Sequence, residues 1–572
     1  MVTWSFKEVE IMRLRIVSVA LIILFVASTI HAAPQPVRAS RGMVTSQNLI
    51  ASKIGANVLK KGGSAIDAAV SMAFALAVTH PTAGNIGGGG FIVYRAASGD
   101  AVAYDFREVA PLRASPTMFL KDGEYDFTQH HLSYLSIGVP GTVAGLYLAW
   151  QEHGKLLWEN LVEPAITLAR DGFEVSAGLS RSLKAVLPRM GQYSASVRQF
   201  SKNGIPYEAG EILKQPDLAG TLERIAREGP AGFYEGETAR LIEMEMQKNG
   251  GLITQKDLRD YKPKTLEPIR GTYRGYEVVS MPPISSGGTV LIEMLNILEG
   301  YDLASFGFGS AQAVHLSIEA MRRAYADRAR YLGDPDFNPT MPITRLTSKE
   351  YAAEIRETID FTQASISTPD SFEWTGESME TTHLSVVDEQ RNAVSLTYTL
   401  EYGYGSRIVV PGAGFLLNNE MGDFNGAPGL TTTDGLIGTA PNLAAPRKRM
   451  LSSMTPTILA KDGQLFMVTG TPGGRTIINT ILQTILNVVD FKMNIQAAVD
   501  AGRFHHQWLP DRIRYERHGL SPDTLSLLKE RGHHLSEVDS QGNVQAILYD
   551  YEAGILEGAS DRRRPDGGAI GF

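Results

Sequence analysis

The 572-residue chain carries 54 Lys and Arg against 62 Asp and Glu, a formal net charge of −8. That balance argues against a nucleic-acid partner, which would call for a basic face. A composition that is 43% hydrophobic and 20% charged belongs to a globular protein with a large core, and the length alone suggests roughly two to four domains. There is no cysteine, so disulfides, thiolate zinc sites and cysteine nucleophiles are excluded.

Residues 1–32 read as a secretory signal peptide. Lys7, Arg13 and Arg15 precede an apolar run over 16–26, and small residues follow to Ala32 and Ala33. The run is short for a membrane span; an uncleaved anchor is the alternative, and Met12 offers a second possible start. The rest of the chain is then exported, to the periplasm or beyond.

Residues 46–61 carry apolar positions on one helical face, and Gly62-Gly63 stops that helix. Ser64 caps a second helix with Asp67 as its capping-box partner. This helix is apolar nearly all round over 68–78 and is therefore expected to be buried. The glycine run 87–90 leads into a strand at 91–94, and another strand covers 101–106. Helical patterns dominate over 143–247. The segment 345–380 is polar and aperiodic, and reads as a surface linker. Directly after it the period changes to two. Strands are predicted at 383–388, 393–400, 414–417, 457–460 and 464–468, and Gly473-Gly474 opens an apolar helix over 477–489.

Several motifs are set aside. Residues 470–476 lack the lysine and glycine spacing of a phosphate loop, and 87–90 is not a dinucleotide fingerprint in the right setting. The pairs His130-His131, His505-His506 and His533-His534 are adjacent residues that point apart, so no metal site and no cofactor are expected. What remains is Glu380-Thr381-Thr382-His383, where the linker meets a buried-type strand. If the bond before Thr381 breaks, one residue holds both a hydroxyl and a free α-amine. The amine, with an ordinary pKa near 8, can activate the hydroxyl; the bland alternative is β propensity alone. Pairing Asp388 with Ala393 across a four-residue turn, 389–392, places Thr382 opposite Thr399, so a second hydroxyl lies beside Thr381. The glycines at 473 and 474, before a helix start, let free N–H groups approach an anionic oxygen, or form an ordinary tight turn.

At these positions the chain is closely similar to the gamma-glutamyltransferase family, also called gamma-glutamyltranspeptidases or glutathione hydrolases, within the N-terminal-nucleophile hydrolase superfamily. The matching stretches are Asp105-Phe106-Arg107-Glu108, Thr381-Thr382-His383, Leu416-Leu417-Asn418-Asn419-Glu420-Met421, Leu451-Ser452-Ser453-Met454 and Thr471-Pro472-Gly473-Gly474. The resemblance implies an α+β, four-layer αββα fold made of two intertwined subunits from one precursor, a large one over 33–380 and a small one over 381–572. It implies self-cleavage between Glu380 and Thr381, Thr381 as the nucleophile, Thr399 orienting it, and Gly473 and Gly474 as an oxyanion hole. Arg107, Ser452 and Ser453 would bind the α-carboxylate of a donor such as glutathione, while Glu420 and Asp423 bind its α-ammonium. The glutamyl group would pass to water or to an amino acid or peptide amine. The chain departs from the family's pattern at two places. Glu401 stands two residues after Thr399 where an asparagine is usual, and Asp434 stands in the lid-like loop 428–439 where an aromatic is usual. Two other readings stay open: a glutaryl-type acylase of the same superfamily, and a catalytically dead binding homologue.

Overall fold

Two seven-stranded sheets lie face to face in the computed structural model, which describes residues 34–368, 381–430 and 438–572. In chain order their strands are β1 (Val37–Ala39), β2 (Met43–Ser46), β3 (Gly89–Arg95), β4 (Ala101–Phe106), β5 (Lys264–Leu266), β6 (Ile269–Tyr273), β7 (Tyr276–Ser280), β8 (Thr382–Val387), β9 (Ala393–Thr399), β10 (Thr457–Lys461), β11 (Gln464–Gly470), β12 (Gln545–Asp550), β13 (Ile555–Ser560) and β14 (Gly568–Gly571). The first sheet has the order β5-β4-β3-β9-β8-β2-β14, and the second β1-β13-β12-β11-β10-β7-β6. All neighbours are antiparallel.

Helices close both outer faces. Against the first sheet lie α1 (Leu49–Lys60), α2 (Ala65–Thr79), α3 (Thr142–His153) and α4 (Trp158–Asp171), and against the second α5 (Gly287–Glu299), α6 (Ala311–Tyr331) and α7 (Thr476–Val489). The result is the four-layer αββα sandwich, with residues 36–572 forming one compact unit rather than the several domains that length suggests. The predicted capping box is present: Asp67 N–H donates to Ser64 Oγ at 3.1 Å and Ser64 N–H to Asp67 Oδ2 at 2.8 Å. Every residue of α2 is buried, as its all-round apolar pattern requires.

Strand alternation sorts the central hairpin into two faces. Leu384 and Val386 of β8, with Val394, Leu396 and Tyr398 of β9, join the core under α2. The opposite face, turned toward the second sheet, is polar. There Ser395 Oγ donates to Thr469 O at 2.9 Å and Ser385 Oγ to Gln545 O at 3.1 Å. His383, fully buried, contacts Thr397 Oγ1 at 2.8 Å and Ser385 Oγ at 3.0 Å, and burial drops its pKa to about 3. Gly470 of β11 packs on that ring; a Cβ there would lie 2.2 Å from His383 Cε1. Thr381, His383 and Ser385 have the same parity, so the proposed nucleophile faces this hydrogen-bonded interlayer.

The structure corrects several expectations. The hairpin register is Thr382↔Tyr398 and Val387↔Ala393, one residue from the predicted pairing. Asp388 N–H reaches Asn392 O at 3.0 Å and Arg391 takes φ +72°, so the loop has three residues with a left-handed third member. Residues 414–417 form no strand; Leu416 makes one isolated bridge to Val409. Ser46 ends β2, and α1 starts at Leu49 with Asn48 as its cap. The start of the polar segment is helical, at Ile343–Leu346 and Lys349–Glu357, because Leu346 and Ala352 bury against the second core. Among the described residues no helix is long and apolar enough to cross a membrane. The predicted signal peptide lies outside the described residues.

Candidate active site

Thr381 enters β8 directly and is 4% exposed. Continuing the observed register by one residue brings it level with Thr399, the last residue of β9, which is 2% exposed. The two hydroxyls are 3.4 Å apart, longer than a strong O–H···O bond, so the contact between them is weak. Thr399 is itself held firmly. Its Oγ1 accepts from Glu401 N–H at 2.9 Å, and its carbonyl from Asn85 Nδ2 at 2.9 Å. Asn85 Oδ1 accepts in turn from Gly88 N–H at 2.9 Å and Thr142 Oγ1 at 2.7 Å. A Cβ on Gly88 would lie 2.0 Å from the Thr399 carbonyl oxygen, so only glycine lets β3 approach this closely.

The oxyanion candidates lie between β11 and α7. Gly473 has φ +138° and Gly474 φ +53°, backbone that favours glycine. The Gly473 carbonyl turns toward the helix, accepting from Thr476 N–H at 3.1 Å and Thr476 Oγ1 at 2.7 Å. The Pro472 carbonyl accepts from Thr471 Oγ1 at 2.8 Å. In a trans peptide the N–H points opposite to the preceding carbonyl, so Gly474 turns its N–H away from the helix and Gly473 turns its N–H away from the Thr471 hydroxyl. Gly474 lines the cleft shared with Thr381 and Thr399, while Gly473 is not among its lining residues. The helix itself starts at Thr476.

Across the cleft stands a buried acid cluster around one guanidinium. Arg107 follows β4; its N–H donates to Asp105 Oδ1 at 2.9 Å, and its guanidinium donates to the carbonyls of Met450 and Leu451, both at 3.3 Å. Its two terminal nitrogens pair with Glu420 and Asp423, and Glu108 lies 3.8 Å away. Burial opposes the Arg107 charge, but these three carboxyls outweigh it and raise its pKa. Burial pushes Glu420 well up and Glu108 to about 8, opposed by Arg107 and reinforced by the neighbouring acids. One guanidinium cannot neutralise the set, so the cluster retains a proton near neutral pH. Expected to take opposite ends of an amino-acid head group, Arg107 and the pair Glu420 and Asp423 here bind each other. The cavity left between them is about 20 Å³, room for a single water-sized group.

Ser452 and Ser453 form the wall beneath. Ser452 Oγ accepts from Met454 N–H at 3.1 Å, and Ser453 Oγ accepts from Arg328 Nη2 at 2.9 Å. Arg328, fully buried on α6, also donates to Ser286 Oγ at 2.7 Å. It is a second cation beside the cleft, and sequence reasoning missed it. Glu401 has φ +76°, a strained backbone for a non-glycine residue. Its carboxylate pairs with Asn419 Nδ2 and lies 3.5 Å from His131 Nδ1. His131 stacks on Tyr402 with ring centroids 5.5 Å apart, and burial lowers its pKa to about 4.

The structure thus brings together Thr381, Thr399, Gly474, Arg107, Glu401, Glu420, Asp423, Ser452 and Ser453 in one cleft, where Met454 and Ile477 join them. Glu380 and Asp434 lie outside the described residues. Asn85 and Asn418 were also missed. The latter donates to the carbonyls of Gly87 and Gly138, both at 2.8 Å, and accepts from Gly138 N–H at 2.9 Å and Glu420 N–H at 3.0 Å. The only signal for Asn418 was its place in the Leu-Leu-Asn-Asn-Glu-Met stretch.

Two facing antiparallel sheets between helical layers, with a threonine entering a central strand beside a glycine loop, define the architecture of an N-terminal-nucleophile hydrolase. Over residues 51–571 the chain matches the family model described as gamma-glutamyltranspeptidase, and it belongs to that family. It is 48% identical over 547 residues to the glutathione hydrolase proenzyme of Escherichia coli K12, covering 94% of this chain and 93% of the relative. Among solved structures, the cephalosporin acylase from Bacillus halodurans superposes with a TM-score of 0.82 at 28% identity, covering 95% of this chain and 98% of that one. The gamma-glutamyltranspeptidase of Helicobacter pylori is 47% identical with a TM-score of 0.55, covering 55% of this chain and 91% of that one.

Proposed function

We propose that the chain is an exported precursor that cuts itself between Glu380 and Thr381 and then acts as a gamma-glutamyltransferase and glutathione hydrolase. In the precursor the Thr381 hydroxyl attacks the Glu380 carbonyl carbon, the C–N bond breaks, and an ester links Glu380 to Thr381 Oγ1. Water hydrolyses that ester, leaving a carboxylate on Glu380 and a free hydroxyl and amine on Thr381. The 33–380 and 381–572 pieces stay intertwined, since both contribute hydrogen-bonded strands to each sheet.

In the processed enzyme the α-amine takes the hydroxyl proton as Oγ1 attacks the γ-carbonyl of a donor such as glutathione. The N–H groups of Gly473 and Gly474 meet the developing oxyanion; one such donor is worth about 3–4 kcal/mol in acyl transfer. The proton passes to the leaving amine, and water or an amino acid or peptide amine then attacks the γ-glutamyl ester, breaking its bond to Oγ1 and restoring the Thr381 hydroxyl. The donor's α-carboxylate exchanges onto Arg107, Ser452 and Ser453, while its α-ammonium takes Glu420 and Asp423, each replacing half of an internal ion pair. Arg107 suits the carboxylate because its planar fork binds two oxygens at once.

The observation that carries this reading is the Thr381–Thr399 hydroxyl pair at 3.4 Å in the same cleft as Arg107 and the carboxyls of Glu420 and Asp423. Its test is hydrolysis of a γ-glutamyl anilide with and without a dipeptide acceptor. Turnover that rises with the dipeptide supports transfer; no release of the anilide under either condition refutes the assignment. The structural likeness to a cephalosporin acylase favours a second reading, a glutaryl side-chain acylase. Such a substrate has no α-ammonium to place against Glu420 and Asp423. Asp423→Asn separates the two: it weakens a γ-glutamyl donor and spares a glutaryl one.

A further inference from the structure

His315, Glu319 and His533 meet in a buried cluster that none of the chemistry above uses. His315 and Glu319 sit one turn apart on α6 and so share a face. His533 comes from the turn after the helix Pro522–Glu530, where its N–H donates to Leu528 O at 3.1 Å. The three offer ligand atoms all within 4.8 Å of one another, and their exposures are 0%, 0% and 5%. His533 belongs to an adjacent pair that sequence reasoning dismissed, and its partner proves to be a ring 218 positions away.

The hydrogen bonds set the orientation of each donor. His315 Nε2 lies 2.7 Å from the Asp360 carbonyl, which can only accept, so that nitrogen carries the proton and Nδ1 keeps its lone pair. A ring N–H fixed on a carbonyl is the usual outer support of a metal-bound histidine. His315 Nδ1 faces His533 Nε2 at 2.8 Å, and the other ring nitrogen of His533 is buried without a partner. Either tautomer of His533 therefore leaves one nitrogen unsatisfied. Glu319 Oε1 accepts from Arg322 Nε at 3.3 Å and Ser365 N–H at 3.2 Å, and Oε2 from Arg323 Nη1 at 2.6 Å, which leaves a lone pair on Oε2.

We infer that His315, Glu319 and His533 form a binding site for a divalent first-row cation of the zinc type. Two imidazoles and one carboxylate are a known ligand set for such ions, with a fourth position open. The two arginines on Glu319 weaken its pull on a cation, so micromolar affinity is expected rather than that of a closed structural zinc site. The site also ties the chain together. His315 and Glu319 precede Thr381 and His533 follows it, and the stretch that supplies Asp360 and Ser365 leads toward the proposed cleavage point. In a chain without disulfides, such a cation would fasten the two products of self-cleavage to each other.

The test uses the purified full-length protein, stripped with chelator and titrated with zinc or cobalt(II). The expected results are one equivalent of zinc bound at saturation in equilibrium dialysis, a visible cobalt spectrum of low-coordinate type that saturates at one equivalent, and a Tm that rises with zinc. His533→Gln and Glu319→Gln should each abolish the cobalt spectrum and the Tm rise. Should either variant fail to fold, the wild-type stoichiometry and spectrum still decide. No stoichiometric uptake by the wild type, an octahedral-type spectrum only, or uptake undiminished in folded variants overturns the site.

Discussion

Thr399→Val removes one oxygen from the site at nearly constant volume. The hydroxyl meets Thr381 Oγ1 weakly at 3.4 Å and accepts from Glu401 N–H at a normal 2.9 Å. Loss of the first, at about 0.5–1.5 kcal/mol for a neutral hydrogen bond, corresponds to roughly a two- to twelvefold fall in kcat/KM at about 1.36 kcal/mol per decade. Loss of the second leaves a buried N–H unpaired, about 1–3 kcal/mol of stability, on a residue already held at φ +76°. The assay pairs γ-glutamyl anilide kinetics with denaturant unfolding, and Thr399→Ser is the control because it keeps the oxygen. Self-cleavage should slow with turnover, since in the proposed mechanism one hydroxyl performs both attacks. A valine variant with wild-type cleavage, turnover and stability would refute the assigned role of Thr399.

Other expectations follow from the same geometry. Gly470→Ala drives a methyl to 2.2 Å from the His383 ring in a packed interlayer, and unfolding experiments should register a loss of about 1–3 kcal/mol from overpacking. Asn418→Ala strips partners from two carbonyls and two N–H groups; stability should fall by about 3 kcal/mol or more, with a raised KM because Glu420 loses its backbone anchor. Glu108, held at about 8 by burial, binds a proton in the folded state that the unfolded chain releases above its ordinary value of 4.5. Its stabilisation is therefore complete below about pH 4.5 and is lost as pH rises toward 8, by up to about 1.4 kcal/mol per pH unit. The buried histidines act in the opposite sense, but only below about pH 6.5. Tm should thus fall from pH 6.5 to 8, and Glu108→Gln should flatten that fall.

The hairpin carrying Thr381 was legible because its alternation is strict, yet its register slipped by one. Strand alternation alone cannot show that Arg391 adopts the left-handed conformation that shortens the turn. The buried helix 65–79 was legible down to its capping box, since local polarity and apolar density settle it. Residues 345–357 read as linker because their helices are short and rich in charge, so the face of Tyr351, Ala352 and Ile355 that packs on the second core is too brief to stand out in the sequence. The cleft residues came from motif resemblance rather than periodicity: Arg107, Glu420 and Ser453 converge from separate parts of the chain. Arg328 and Asn85 act through Ser453 and Thr399, and a role expressed through another side chain leaves no local pattern. The His315–His533 contact was invisible for the same reason.

The central claim is that Thr381 becomes a chain terminus and then the nucleophile. N-terminal sequencing and intact mass of the purified protein test it directly. The predicted result is a second N-terminus at Thr381, with the chain in two pieces that co-purify, and a single uncut, inactive chain in Thr381→Ala. A folded wild-type protein that stays intact, or an alanine variant cut at the same bond, would contradict it.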